Sequence, residues 1–135
     1  MSRLRFLAVA IALSAVACGS DTTTPTTPTT PVSSTDTFNG VLTQNGGTSW
    51  PFTTAASGTI TATLSTLAPN STLVVGLALG TWNGNACQLI LTKDNATQSS
   101  FIVGQASQSS TYCVRIYDVG NVTDPQTVEI QVNHP

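Results

Sequence analysis

Residues 111–120 read Thr-Tyr-Cys-Val-Arg-Ile-Tyr-Asp-Val-Gly, alternating apolar and polar positions before breaking at Gly120-Asn121. That period of two predicts a central antiparallel strand. Shorter β-branched runs separated by turn residues recur before and after it. Residues 37–43 form one, ending at the Asn45-Gly46-Gly47 turn, and residues 49–54 form the next. Pro51 offers no N–H to a ladder, which places that strand at a sheet edge or a bulge. In residues 59–65, Ile60, Ala62 and Leu64 share one side and threonines the other, the pattern of a half-buried strand. Residues 72–80 set Leu73, Val75, Leu77 and Leu79 on a large face and Val74, Gly76, Ala78 and Gly80 on a mostly small one, against which something can pack closely. A weaker strand covers residues 101–104, and residues 127–132 turn Val128, Ile130 and Val132 inward. Within residues 36–135 no i, i+3, i+4 apolar pattern lasts three turns, so no substantial helix is expected there. About eight strands at this spacing predict an all-β fold, a two-sheet antiparallel sandwich of jelly-roll type.

The hairpin after residue 80 admits two registers. A two-residue Asn83-Gly84 turn would set Leu79 against Gln88 and Leu77 against Ile90. A three-residue loop, Asn83-Gly84-Asn85 with Asn85 left-handed, sets Leu79 against Leu89 and Leu77 against Leu91. The second buries leucine against leucine and is the expected one. The strand should then end at a Lys93-Asp94-Asn95 turn. Cys87 and Cys113 are expected to form a disulfide, closing a loop of about 26 residues and contributing on the order of 3 kcal/mol. Strand parity opposes this pairing, since Cys87 falls with Leu89 and Leu91 while Cys113 falls opposite Val114 and Ile116. Either Cys87 precedes the regular strand or a bulge reorients Cys113.

Upstream of the strands the character of the chain changes. Arg3 and Arg5 precede an almost unbroken apolar run of twelve, residues 6–17, which ends in the small residues Ala15-Val16-Ala17 before Cys18. This is the pattern of an export signal, too short to span a bilayer as a mature helix. Residues 20–35 then repeat Thr and Pro with a single aliphatic side chain. Such a segment cannot bury enough surface to offset its ordering entropy, and its polyproline character, about 3.1 Å per residue, makes it a spacer on the order of 40 Å long if stretched. The expected organisation is a signal peptide at 1–17, Cys18 and a flexible tether over 18–35, and a folded domain at 36–135.

Two resemblances follow from these residues. The Ala15-Val16-Ala17-Cys18 sequence resembles the lipobox of bacterial lipoproteins, although Ala15 stands where that motif most often has Leu. The resemblance implies lipidation of Cys18, anchorage to the cell envelope and, with Gly19 next, sorting to the outer membrane. Acyl chains contribute about 0.8 kcal/mol per buried methylene, so several on one residue anchor stably. In the folded part, Trp50-Pro51-Phe52-Thr53, residues 58–64, residues 111–117 and Thr127-Val128-Glu129-Ile130 together resemble the bacterial pre-peptidase C-terminal domain. That family implies a jelly-roll-like sandwich acting as an accessory or binding module. Its usual Asp-Leu-Tyr-Leu strand is replaced here by residues 71–77, and the acidic ligands of its calcium-binding members have no counterparts.

Charge and candidate chemistry narrow the functional classes. The chain has 4 basic and 6 acidic residues. Without the leader only Lys93 and Arg115 remain as cations, leaving a net of about −4 and no basic stripe, which excludes nucleic acid as a partner. The single histidine, His134, lies next to the last residue, where a solvated tail is the expectation and a positioned catalytic base is not. No paired Cys or His spacing suits zinc, and no glycine loop precedes a helix for phosphate. Asp118, Asn121 and Asp124 could offer three oxygens to a hard cation from one loop, but such residues more often cap turns through their own backbone. Trp82, Trp50 and Tyr117 are the aromatics that could face a ligand, with strand packing the commoner role for hairpin-end tryptophans. No cofactor is expected. The expected partners are the membrane, through the N-terminal lipid, and a carbohydrate or protein ligand bound by a monomer. The reading is a lipid-anchored envelope module that binds or scaffolds without catalysis. Its rivals are a small hydrolase using Asp118, Asp124 or Glu129, and a structural spacer.

Overall fold

The computed structural model describes residues 32–135. The signal peptide over 1–17, Cys18 and the tether up to residue 31 lie outside the described residues. Eight strands follow in order: β1 (Ser34–Leu42), β2 (Gly47–Thr54), β3 (Gly58–Ala68), β4 (Val75–Trp82), β5 (Cys87–Ala96), β6 (Phe101–Ala106), β7 (Ser110–Tyr117) and β8 (Gln126–His134). β1 starts at Ser34, so Ser34 and Thr35 belong to the strand and not to the tether. No helix occurs among the described residues. One sheet has the order β1-β8-β3-β6 and the other β2-β7-β4-β5, with antiparallel pairing throughout. This is a jelly-roll sandwich, as the alternation predicts. Only β4 and β5 are consecutive neighbours in one sheet.

Period-two patterning explains the core directly. Ile60, Ala62 and Leu64 of β3, and Val128, Ile130 and Val132 of β8, all turn inward. They meet Val75, Leu77, Val114 and Ile116 from the second sheet. Each such aliphatic side chain contributes about 1.5–3 kcal/mol by leaving water. A bulge at Ser65 shifts the β3 register between Leu64 and Thr66, so Leu64 and Leu67, three apart, are both buried. The Ser65 hydroxyl completes the bulge by donating to Glu129 O at 3.0 Å and Glu129 Oε1 at 2.8 Å. β7 lies between β2 and β4, a central strand as expected, and β2, which carries Pro51, is an edge.

The β4–β5 hairpin departs from its expected register. The loop has four residues, Asn83 to Ala86, closed by the Asn83 Oδ1 acceptor to the Asn85 and Ala86 amides at 2.9 and 2.8 Å. The left-handed position falls on Gly84 (φ 99°) and not on Asn85. Trp82 pairs with Cys87, Gly80 with Leu89 and Leu79 with Leu91, leaving Ile90 as an extra residue. Leu77 faces Lys93. The Lys93-Asp94-Asn95 turn also does not form, because β5 continues through it to Ala96. Between the Leu77–Lys93 and Val75–Ala96 pairs β5 carries one residue more than β4, so these turn-forming residues make a second bulge. The chain reverses after Thr97 instead, with the Thr97 carbonyl accepting from Ser100 N at 3.0 Å and Ser99 at φ 69°.

Candidate functional site

The bulge at Ile90 resolves the parity conflict between the cysteines. It turns Leu89 and Cys87 to the outer side of the second sheet while Leu91 stays level with Leu79, so Cys87 shares a side with Cys113. The disulfide forms with Cα atoms 5.7 Å apart, although β4 lies between the two strands. Strands separated by a third stand about 9–10 Å apart in a flat sheet. The start of β5 therefore arches over β4, and Gly80 is what lets it. A Cβ on Gly80 would lie 2.0 Å from the Gln88 carbonyl oxygen.

The same outer side carries every second residue of β7: Cys113, Arg115 and Tyr117. Beneath them lie the small residues of β4, Gly76, Ala78 and Gly80, buried although they face outward. The Tyr117 ring rests on Gly76, where a Cβ would stand 2.2 Å from it. This is the close packing the small face of β4 allowed. The Tyr117 hydroxyl donates to Asp94 Oδ1. Burial, then the Asp94 hydrogen bond and charge, push the phenol up to about 12, while Arg115 and Thr92 act in the opposite direction. Arg115 donates to Ser49 Oγ at 3.2 Å. Its guanidinium has no carboxylate within 4.0 Å among the described residues. Trp82 lies on this outer side at the far end of β4. Six residues separate it from Gly76, so Trp82 and Tyr117 stand about 20 Å apart along the strand. The disulfide and Arg115 lie between them.

Two of the three expected ligand-facing aromatics are thus on one face. Trp50 is not, because it faces between the sheets. It stacks on Phe38 with centroids 5.8 Å apart, over Gly40, whose Cβ would come within 2.8 Å of the indole. Arg115, Ser49 and Asp94 join the face without having been singled out, although a period of two counted back from Tyr117 reaches both Arg115 and Cys113.

The acidic loop is a turn held by its own backbone. Asp118 Oδ1 accepts from the Gly120, Asn121 and Val122 amides at 2.7, 2.9 and 3.0 Å, and Oδ2 from Asn45 N at 2.8 Å. Burial acts to raise this carboxyl, but the four amides outweigh it and hold Asp118 below its usual range. Asn121 Nδ2 donates to the Val74 carbonyl at 3.0 Å, and Asp124 accepts from Thr123 Oγ1 at 3.1 Å. Glu129, the third acid considered for hydrolysis, lies on β8 and accepts from Ser65 and Gln131. No group of three His, Cys, Asp or Glu side chains gathers among the described residues.

His134 is the clearest correction. It is not a solvated tail residue but the last residue of β8, only 4 % exposed. Its Nε2 lies 3.1 Å from Asp36 Oδ2, and its ring centroid is 5.1 Å from that of Phe52. The pairing of Ser34 with His134 across the β1–β8 ladder buries it, a contact spanning 100 positions that no local pattern announces. Ser34 Oγ is 3.5 Å from both ring nitrogens and so is directed at neither, unlike a nucleophile on its base.

No protein family matches the chain, and a comparison with curated proteins finds no match.

Proposed function

We propose that this chain is a lipid-anchored cell-envelope protein whose jelly-roll domain, of the pre-peptidase C-terminal kind, is a non-catalytic binding or scaffolding module. One observation carries the anchorage: Cys18 stands directly after the small-residue end of a twelve-residue apolar run and before a Thr/Pro spacer. The disulfide is consistent with an exported domain, because oxidising compartments are where such bonds persist. The binding face is the outer side of the second sheet, where Trp82, Arg115 and Tyr117 form a strip with apolar ends and a cation between them. Aromatic faces and a guanidinium fork suit a sugar polymer or an extended peptide. Against a hydrolase built on Asp118, Asp124 and Glu129 stands the occupation of each carboxylate by a neighbouring donor.

Two measurements test this reading. Lipid attachment predicts that the wild-type chain enters the detergent phase and the Cys18→Ser variant does not; a variant still found there would contradict anchorage. The Cys18→Ser chain, screened on a glycan and peptide array, should bind a ligand that Trp82→Ala and Tyr117→Ala each weaken about tenfold. An empty array would favour the spacer, and turnover of any array ligand would favour the hydrolase.

A further inference from the structure

The two sheets have four edge strands, and three of them are blunted against further pairing. β1 turns the Asp36 carboxylate inward to His134, β2 holds Pro51, and β5 carries two bulges. β6 has none of these. Phe101–Ala106 contains no charge and no proline, and it pairs with β3 from Gly58–Ala106 to Thr63–Phe101 without a register shift. No described strand pairs with its other side, so the amide and carbonyl of every second residue point away from the sheet. The side chains along this edge are apolar on both faces. Phe101 and Val103 stand on the outer face of the first sheet, level with Thr63 and Thr61, and are 58 and 47 % exposed. On the inner side Gly104 pairs with Ile60 and adds no side chain, which leaves a half-open recess of about 50 Å³ against Leu79, Ile90 and Leu91. At the Phe101 end of the edge a second, more open recess of about 360 Å³ is lined by Lys93, Gln98, Ser99, Ser100 and Phe101. Lys93 pairs with the core residue Leu77, so its side chain leaves β5 on the inner side, while Asp94 turns outward to Tyr117. The Lys93 ammonium has no carboxylate within 4.0 Å among the described residues.

We infer that β6 is a docking edge for the C-terminal segment of another protein, which adds as an antiparallel strand with its terminal carboxylate at Lys93. Direction follows from the ladder. An antiparallel partner runs from the Ala106 end toward Phe101, so its chain ends beside the larger recess. Main chain, and not a side chain, arrives there, which selects a terminal carboxylate over that of an Asp or Glu. Charge points the same way. Lys93 is the only charged residue lining either recess, in a domain whose described residues hold two cations and five acids, so an acidic end is drawn to this spot and an uncharged body fits the rest of the edge. Register then assigns the side chains. With the last residue opposite Phe101, the fourth from the end lies opposite Gly104, and its tip enters the small recess. The second from the end lies opposite Ile102 and points inward too, so both positions call for apolar residues. Residues between them stand on the outer face with Phe101 and Val103. The Thr/Pro stretch of this same chain does not suit the edge, because Pro25, Pro28 and Pro31 remove ladder donors. The site is separate from the Trp82 to Tyr117 strip, which lies on the outer side of the other sheet.

Fluorescence anisotropy with the exported full chain carrying Cys18→Ser tests the docking. The probes are labelled hexapeptides with a free C-terminus, bearing Val, Leu, Ile or Phe at the second and fourth positions from the end and Thr elsewhere. At least one should bind with a Kd below about 1 mM, and amidation of its C-terminus should weaken it about tenfold. Lys93→Gln should weaken the free acid about as much and abolish its advantage over the amide. Gly104→Ala, whose methyl enters the small recess, should weaken peptides with a large side chain at the fourth position while the preference for the free acid is kept. Trp82→Ala should change neither, and circular dichroism of every variant should remain that of the parent sandwich. No binding by the whole set up to about 1 mM overturns the inference, as does equal binding of acid and amide. Binding lost in Trp82→Ala and kept in Lys93→Gln overturns it too, in favour of the outer side of the second sheet.

Discussion

Tyr117 lies flat on a glycine, with its hydroxyl turned to a carboxylate that would repel a phenolate. Burial is the larger influence and Asp94 the second. A difference titration at the phenolate absorbance, wild type minus Tyr117→Phe, should give a midpoint near 12. In Asp94→Asn the midpoint should fall only part of the way to 10.0, because the desolvation remains. A full return to 10.0 would make the carboxylate the main cause. Because the folded state favours the neutral phenol, the stabilisation it provides is complete below pH 10 and is lost as the pH rises toward 12. At this scale the sequence is only partly legible. Alternation puts Tyr117 opposite Ile116, but its partner Asp94 looks like a turn residue, and only the second β5 bulge turns it into a strand residue facing Tyr117. His134 is less legible still, since its burial depends on a strand about a hundred positions away.

Among the elements, β3, β7 and β8 could be read from the chain because each buries one face and exposes the other, which a period of two records directly. β5 could not. Its two extra residues change the face of everything between them, and a bulge has no signal that separates it from a turn when the residues are Asp and Asn. The Ile90 bulge also explains why parity appeared to forbid a disulfide that does form. The arch it creates makes a sharp prediction about two glycines. Gly80→Ala would drive a methyl into the Gln88 backbone, which cannot step aside, and should cost at least about 2–3 kcal/mol in denaturant unfolding. Gly104→Ala would meet only the ends of the Leu79 and Leu91 side chains, at 3.3 Å, and should change stability by less than about 1 kcal/mol. Equal losses at the two positions would mean that β5 does not arch over β4.

For the whole molecule, the class of fold followed from strand count and spacing, while the order of strands did not, because six of the seven consecutive strand pairs cross from one sheet to the other, an arrangement set by tertiary packing. The disulfide ties β5 to β7 in the second sheet and leaves the first sheet to its ladder and core. Replacing Cys87 and Cys113 together by Ala should lower unfolding free energy by about 3 kcal/mol while the β-sheet circular dichroism is retained. Loss of the sheet signal at room temperature would show that the crosslink is a condition of folding. The pairing of Ser34 with His134 also has a mechanical meaning. A pull directed across the ladder and applied ahead of Ser34 would reach the β1–β8 pair at the end that holds Ser34 and His134 and load its hydrogen bonds one after another. The buried imidazole and the Asp36 carboxylate, two residues further in along β1, then form a rivet at that end of the ladder.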